Sequence, residues 1–515
     1  MVEQGVALLQ GGRFHEAAAA FQQALRQQPA SIPLRIALAR ACIGTGDLVT
    51  ATAWLSDAVR IAPGEREAVQ LLADLLLAQK HYGQALPFYL QLLERHGLRT
   101  AANLLHGGFC HEQLGGIDAA AALYAASIAA DPSLVEPEVD LAGVLWRLED
   151  FEGSLAHARR AVALAPEHPY AQRILGTALL NLNRLEDAEH HLRRALQLKP
   201  DFALAELDLA FALLLAGRLD DGWRRYESRW RDPDRLPRPR FYRPEAEWPG
   251  PSVPLQGQAI AVYAEQGLGD VIQCLRYLPM LQALGARVRC VLQPELVALV
   301  EASFPGVQCL VPGRDLTVQW HVAMMELPAR FGTTTLQAVP APARYLQVPV
   351  AAQESWRSRL APWAGQKKIG VAWSGSLSQV NNRNRAIPLG TLRPLLDVPG
   401  TQCFSLQKGA APAYTDVALD NLVDLTPQWN DFVDSAAMID ALDLVITVDT
   451  SIAHLAGALG KPVWVLLPPN ADWRWLLERD DSPWYPSMRL FRRGFGETRE
   501  AQVGRVSEAL HAWLA

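Results

Sequence analysis

The chain has 515 residues, too many for one hydrophobic core, so two or three domains are expected. Half of it is hydrophobic and a fifth charged, the balance of an ordinary globular protein, and the net charge of -6 argues against a general nucleic-acid binder. The six cysteines (Cys42, Cys110, Cys274, Cys290, Cys309 and Cys403) form no CxxC pair, which excludes a structural zinc motif and fits a reducing cytosol.

The opening stretch, MVEQGVALLQGGRFHEA, has neither the basic start nor the apolar core of a signal peptide. No apolar run approaches the roughly 20 residues that span a bilayer. A cytoplasmic protein without stable membrane insertion is the expectation.

The first half repeats. Pro29, Pro63, Gly97, Pro132, Pro166 and Pro200 are 34, 34, 35, 34 and 34 residues apart. Twelve residues before each lies a small residue: Ala17, Ala51, Ala85, Ala120, Ser154 and Ala188. Four residues after each of these stand Phe21, Leu55, Tyr89, Tyr124, Ala158 and Leu192. Turn-like stretches such as GRFHE and NRLED precede the small positions, and GRLDDGW starts a seventh from Gly217. The period and its helix–turn–helix grammar resemble the tetratricopeptide repeat (TPR), about six and a half copies over residues 1–230. A single helix pair cannot bury its apolar face; stacked pairs form a superhelix with a concave groove. Such a groove holds a protein or peptide, or the array serves dimerisation. His106, His111, His190 and His191 have no metal-ligand arrangement and read as surface or packing residues.

Residues 231–257 are proline-dense and lose helical periodicity, the signature of a linker or bridging segment. The nearby arginines (Arg229, Arg231, Arg235, Arg238, Arg240 and Arg243) read as solvated or as braces between the halves. Asp232-Pro-Asp234 spells the DxD of metal-dependent sugar transferases, but it follows no strand and is rejected as a metal site.

From residue 258 the pattern becomes α/β. A buried-type strand, 259–264, is followed by EQGLGD and an amphipathic helix over 270–284. A strand at 288–292, a helix from 294 and a strand near 307–311 follow. The pattern restarts with a strand at 368–373 and the polar loop SGSLSQVNNRNRAIPL. A helix at 389–396, a strand at 403–406 and a helix at 432–441 lead into LDLVITVDTSIAHLAGALGKPVWVLL, which reads as a βαβ unit: strand 442–448, helix 451–459 capped by Gly460, strand 463–467. Two Rossmann-like lobes are expected, 258–345 and 346–495, with a final helix in 496–515 packing back across both.

Each lobe carries an anomalous loop. Gly267 and Gly269 allow a tight turn and a close ligand, and Asp270 opens the following helix. Ile272 stands where a third glycine would complete GxGxxG, so dinucleotide binding is weakly supported. Ser374, Gly375, Arg383 and Arg385 belong to a donor-rich loop suited to phosphate oxygens or sugar hydroxyls. Asp449, Thr450, Ser451 and His454 sit at a strand's carboxyl end and a helix's amino end, a natural anion site, although Asp449 or Thr450 can equally serve as helix cap.

EQGLGDVIQCLRYLPML, GVAWSGS…NNRNRAIPL and DLVITVDTSIAHLAGALGKPVWVLLPPNADWRW together resemble the heptosyltransferase-like (family 9) glycosyltransferases of the two-lobed GT-B fold. The resemblance is greatest to the bacterial branch fused to TPRs, and covers residues 245–515. It implies an inverting transfer from a nucleotide-sugar, with no metal or other cofactor, to a protein acceptor held in the TPR groove, flagellin being one candidate. By the same resemblance Asp270 is the general base on the acceptor side, and Asp449, Thr450, Ser451 and His454 grip the donor phosphates on the nucleotide-sugar side. Arg383 and Arg385 neutralise the leaving group. TPR-fused relatives carry a His and an Asp where this chain has Gln379 and Asn382. That departure keeps a second reading open, a TPR scaffold whose lobes have lost catalysis. A nucleotide-dependent epimerase or dehydrogenase is disfavoured by the missing Tyr-x-x-x-Lys pair.

Overall fold

A computed structural model describes residues 1–232, 236–313, 316–376, 379–409 and 421–515. Asp234 and Arg235 therefore lie outside the described residues. The chain divides into two units, Met1–Ile174 and Leu175–Ala515.

In the first unit the repeat becomes a stack of antiparallel helices, running from Val2–Gln10 through Phe151–Leu164. The small positions Ala17, Ala51, Ala85, Ala120 and Ser154 are all buried, and so are Phe21, Leu55, Tyr89, Tyr124 and Ala158 four residues on. A small side chain lets neighbouring helices approach, and the larger one fills the space beside it. The fit is close: a Cβ on Gly108 would lie 2.8 Å from the Tyr124 ring. Burying tyrosine obliges its hydroxyl to find a partner. Tyr89 donates to Asp74 at 2.7 Å and Tyr124 to Glu112 at 2.8 Å. Asp47 and Asp150 cap their helices by accepting from Thr50 N and Gly153 N.

The second unit begins with the remaining repeat helices, including Leu185–Leu198, Ala203–Leu215 and Leu219–Tyr226. Ala188 and Leu192 continue the buried pattern. The boundary expected at residue 230 is not a break in the core. Leu214, Trp223 and Tyr226 share one apolar cluster with Ile260, Tyr277 and Trp475. The Trp223 indole donates to Thr333 O at 2.9 Å and meets Trp473 edge-on, 5.1 Å between ring centres. The proline-rich segment bridges rather than dangles: Trp248 and Leu255 are buried, Arg229 donates to Glu265 at 2.9 Å, and Arg238 to the Tyr263 hydroxyl at 2.7 Å. These arginines brace the start of the α/β region.

Two all-parallel sheets follow. The first contains β1 (Ala259–Tyr263), β2 (Arg287–Val291), β3 (Gln308–Leu310) and β4 (Trp320–Ala323), in the order β3-β2-β1-β4. The second contains β5 (Lys367–Ala372), β6 (Thr401–Ser405), β7 (Leu422–Asp424), β8 (Leu444–Val448), β9 (Val463–Leu467) and β10 (Met488–Arg492), in the order β10-β9-β8-β5-β6-β7. The expected βαβ unit is present: β8 and β9 pair in parallel around helix Ser451–Ala458. Gly460 ends that helix at φ +68°, where a Cβ would also strike Ala343 O at 2.4 Å. The expected helix over 270–284 is broken into Leu268–Cys274, a 3₁₀ turn and Leu278–Ala283. β4, β7 and β10 have no counterpart in the sequence reading, and each is a sheet edge. The final helix, Arg499–Leu514, does not pack across the lobes as expected. Val503, Val506 and Leu510 join the core of the second sheet, beside Ile369, Leu395 and Ile446. No described helix is long and apolar enough to cross a membrane.

Candidate functional site

In an open parallel sheet a crevice forms where neighbouring strands send their connections to opposite sides. Here β1 lies between β2 and β4, and β5 between β6 and β8. The loops leaving β1, β5 and β8 all reach one cavity of about 880 Å³. Its lining contains Gly267, Gly269, Asp270, Ser374, Gly375 and Arg385, together with Asp449, Thr450, Ser451 and His454. Thus residues from three loops, widely separated in sequence, surround one space large enough for a cofactor-sized ligand.

Arg383 is the exception. The short helix Asn382–Arg385 turns it outward, where it is exposed and absent from the cavity lining, while Arg385 turns inward. One basic residue of the expected pair therefore faces the site. Asn382 organises this loop. Its buried side chain accepts from Gly375 N at 2.9 Å and from Arg385 Nε at 3.3 Å, and donates to Ser374 Oγ at 3.3 Å. The guanidinium of Arg385 lies directly over Gly375, where a Cβ would meet it at 2.1 Å.

The glycine loop works differently from expectation. Gly267 adopts an ordinary extended conformation, φ -67°, so no left-handed turn is needed there. Gly269 admits another helix. A Cβ on it would lie 2.7 Å from the His454 ring and 3.5 Å from Ser451 Cα. Helices Leu268–Cys274 and Ser451–Ala458 thereby bring their amino ends together at the cavity. Asp270 folds back to accept from Gly267 N at 2.9 Å.

Asp270 also meets a residue the sequence reading passed over. Arg474 donates to Asp270 Oδ1, to Asp472 Oδ1 at 2.8 Å and to Gln273 Oε1 at 2.6 Å. The Asp270 side chain keeps 22% exposure and Arg474 7%. Burial pushes the Asp270 carboxyl above its usual range, and Arg474 only partly opposes this. Burial alone would lower Arg474, but Asp472 and Asp270 hold it firmly charged. The local signal was an arginine between two tryptophans just after β9. Trp473 and Trp475 themselves are buried.

At the β8 turn, Thr450 is the helix cap, accepting from Ile452 N at 3.2 Å. Asp449 is not the cap. It lines the cavity, raised by burial and by Asp472 while Arg385 opposes the rise. His454 is buried, with Nδ1 2.9 Å from the Tyr485 hydroxyl and its ring tilted over Trp475. Burial, and then Arg474, Arg276 and Arg385, hold its pKa well below the usual value. Burial thus disfavours the charged form of this imidazole. The cavity therefore pairs cations with carboxylates, a surface suited to a ligand carrying both hydroxyls and an anionic group. Among the described residues, no group of three or more His, Cys, Asp or Glu is placed to hold a metal ion.

Comparison with known proteins bears mainly on the repeats. Residues 8–75 match one tetratricopeptide repeat family, and residues 71–134, 139–201 and 175–233 match a second. The N-terminal part is a tetratricopeptide-repeat solenoid. Protein FlbA of Caulobacter vibrioides is 29% identical over 323 residues, covering 57% of this chain and 52% of FlbA. The match thus spans about half the length of that relative. Among solved structures, YrrB, described as a TPR protein with an unusual peptide-binding site, is 18% identical with a TM-score of 0.33, covering 36% of this chain and 96% of YrrB. A thermophilic TPR protein of Thermus thermophilus, TTC0263, is 19% identical with a TM-score of 0.29, covering 36% of this chain and all of TTC0263, 100%.

Proposed function

We propose that the α/β region is an inverting glycosyltransferase of GT-B type, moving a sugar from a nucleotide-sugar to a hydroxyl of a protein acceptor recruited by the solenoid. One observation carries this reading: Asp270, Arg385 and the Asp449-Thr450-Ser451 turn line a single cavity at the carboxyl ends of both sheets. In the proposed step the acceptor oxygen bonds to the anomeric carbon and its proton passes to Asp270. The bond from that carbon to the phosphate oxygen breaks, and its electron pair leaves with the phosphate. Arg385 and the amino end of helix Ser451–Ala458 are placed to balance that charge. Asp449, as a carboxylate, suits sugar hydroxyls better than phosphate. Its neighbour Arg385 takes the anion. A protein captured by repeats on the same chain would be raised in effective concentration as an acceptor. Flagellin remains one candidate by resemblance.

A screen of UDP-, GDP-, ADP-, dTDP- and CMP-sugars with host lysate as acceptor source tests the reading. Turnover of one donor class is expected, falling ~10²–10⁴-fold in Asp270→Asn with donor affinity kept. Arg385→Ala should instead weaken donor binding. Donor binding without turnover would favour the alternative, a catalytically inactive TPR scaffold. That alternative draws on Gln379 and Asn382, which depart from the loop of the TPR-fused relatives, and on the clasp of Asp270 by Arg474.

A further inference from the structure

Asp270 borders a second space. A chamber of about 310 Å³ shares Asp270, Gln379, Asp472 and Arg474 with the main cavity. Its opposite wall is Leu204, Leu207 and Phe211 of the solenoid helix Ala203–Leu215, with Trp473 beside them. Neither Arg385 nor the β8 turn reaches it.

We infer that this chamber receives the acceptor as a serine or threonine flanked by apolar residues in a protein segment. The inference rests on the transferase reading above. A single displacement needs the nucleophile in line with the bond that breaks, so acceptor and nucleotide approach from different sides. Two spaces meeting at one carboxylate supply that geometry. The contents of the chamber then favour peptide over phosphorylated glycan. Its cations are already matched: Arg229 bonds Glu265, and Arg474 bonds Asp270 and Asp472. Among the described lining residues an anionic acceptor would find both cations already paired, and it would face Asp232, Asp270 and Asp472. Leu204, Leu207, Phe211 and Trp473 instead offer apolar walls to aliphatic neighbours. The volume is at the lower end of ligand pockets, about 300 Å³, enough for a few side chains. The solenoid helix Ala203–Leu215 is then a wall of the acceptor site as well as part of a tether.

The test uses the full-length protein and the tripeptide N-acetyl-Leu-Ser-Leu-amide, with binding followed by saturation-transfer NMR. Binding is expected in the wild type. It should weaken at least fivefold in Leu204→Trp, which fills the chamber from a half-buried position, and in Phe211→Ala, which strips its wall. It should persist in Val49→Ala, an exposed position of the first unit. The phosphoserine tripeptide should bind worse than the parent. Absent tripeptide binding, insensitivity to both wall variants, or preference for the phosphorylated peptide overturns the inference. The donor screen separates the two claims. Tripeptide binding lost in the wall variants but unaccompanied by any sugar turnover sinks the transferase reading and keeps the chamber. Turnover without wall-sensitive binding does the reverse.

Discussion

The repeats of residues 1–174 and the α/β region from β1 onward solve burial in opposite ways. In the solenoid, what covers Tyr124 comes from adjacent helices: Gly108 lies beneath its ring and Glu112 takes its hydroxyl, 16 and 12 residues away in sequence. In the α/β region Asp270 meets Arg474 across 204 residues. Local contacts give the solenoid a stability that sums repeat by repeat. The site, by contrast, exists only when the loops of both sheets are in place. Damage to the first should stay local, and damage to the second should spread.

Arg474→Ala should produce one of the two largest effects. It strands the largely buried Asp270 carboxylate, while Asp472 stays open to water, at a cost of about 3 kcal/mol. Chemical denaturation would show it, and Arg474→Lys should recover only part because the planar fork is lost. A loss below 1 kcal/mol would mean that the clasp matters little. Tyr124→Ala should cost about 3 kcal/mol through the cavity it leaves. Hydrogen exchange should then rise in the flanking repeats and stay unchanged in β5 and β8. Uniform acceleration would erase the proposed contrast.

Gly269→Ala should cost about 1–3 kcal/mol, because the His454 ring it meets is held by Tyr485 and Trp475 and has little room to yield. The smallest effect is that of pH on His454. Its pKa is depressed in the folded state, so its contribution to stability is complete above the ordinary 6.5 and is lost as pH falls through the folded value. Between pH 7 and 5 the wild type should lose up to about 1.4 kcal/mol per pH unit more than His454→Asn. Parallel pH profiles would show that the imidazole is not buried as neutral.

The same contrast explains what could be read in advance. Ala17 and Phe21, and their equivalents down the solenoid, were legible because the period repeats the same local problem. The β8–helix–β9 unit was legible because central parallel strands are continuous apolar runs. Edge strands are covered less completely. WHVA, LVD and MRLFR mix polar residues into short segments, so β4, β7 and β10 escaped. The loops that line the cavity could be marked out in sequence, but their internal geometry could not. Arg383 and Arg385 are chemically alike, and only the direction of a four-residue helix separates them. Arg474 carried no signal strong enough to link it to Asp270, since no local rule connects a turn after β9 to a turn after β1.

The apolar cluster joining Trp223 to Ile260 and Trp475 has a consequence for how such a chain can be recombined. A shuffled gene that kept everything from residue 231 onward would inherit both sheets but leave Trp248, Tyr277 and Trp473 without the helices packed near them. The terminal repeats have ceased to be exchangeable cargo. Swapping repeat arrays between relatives should succeed when the crossover falls upstream of residue 175, where the first unit ends.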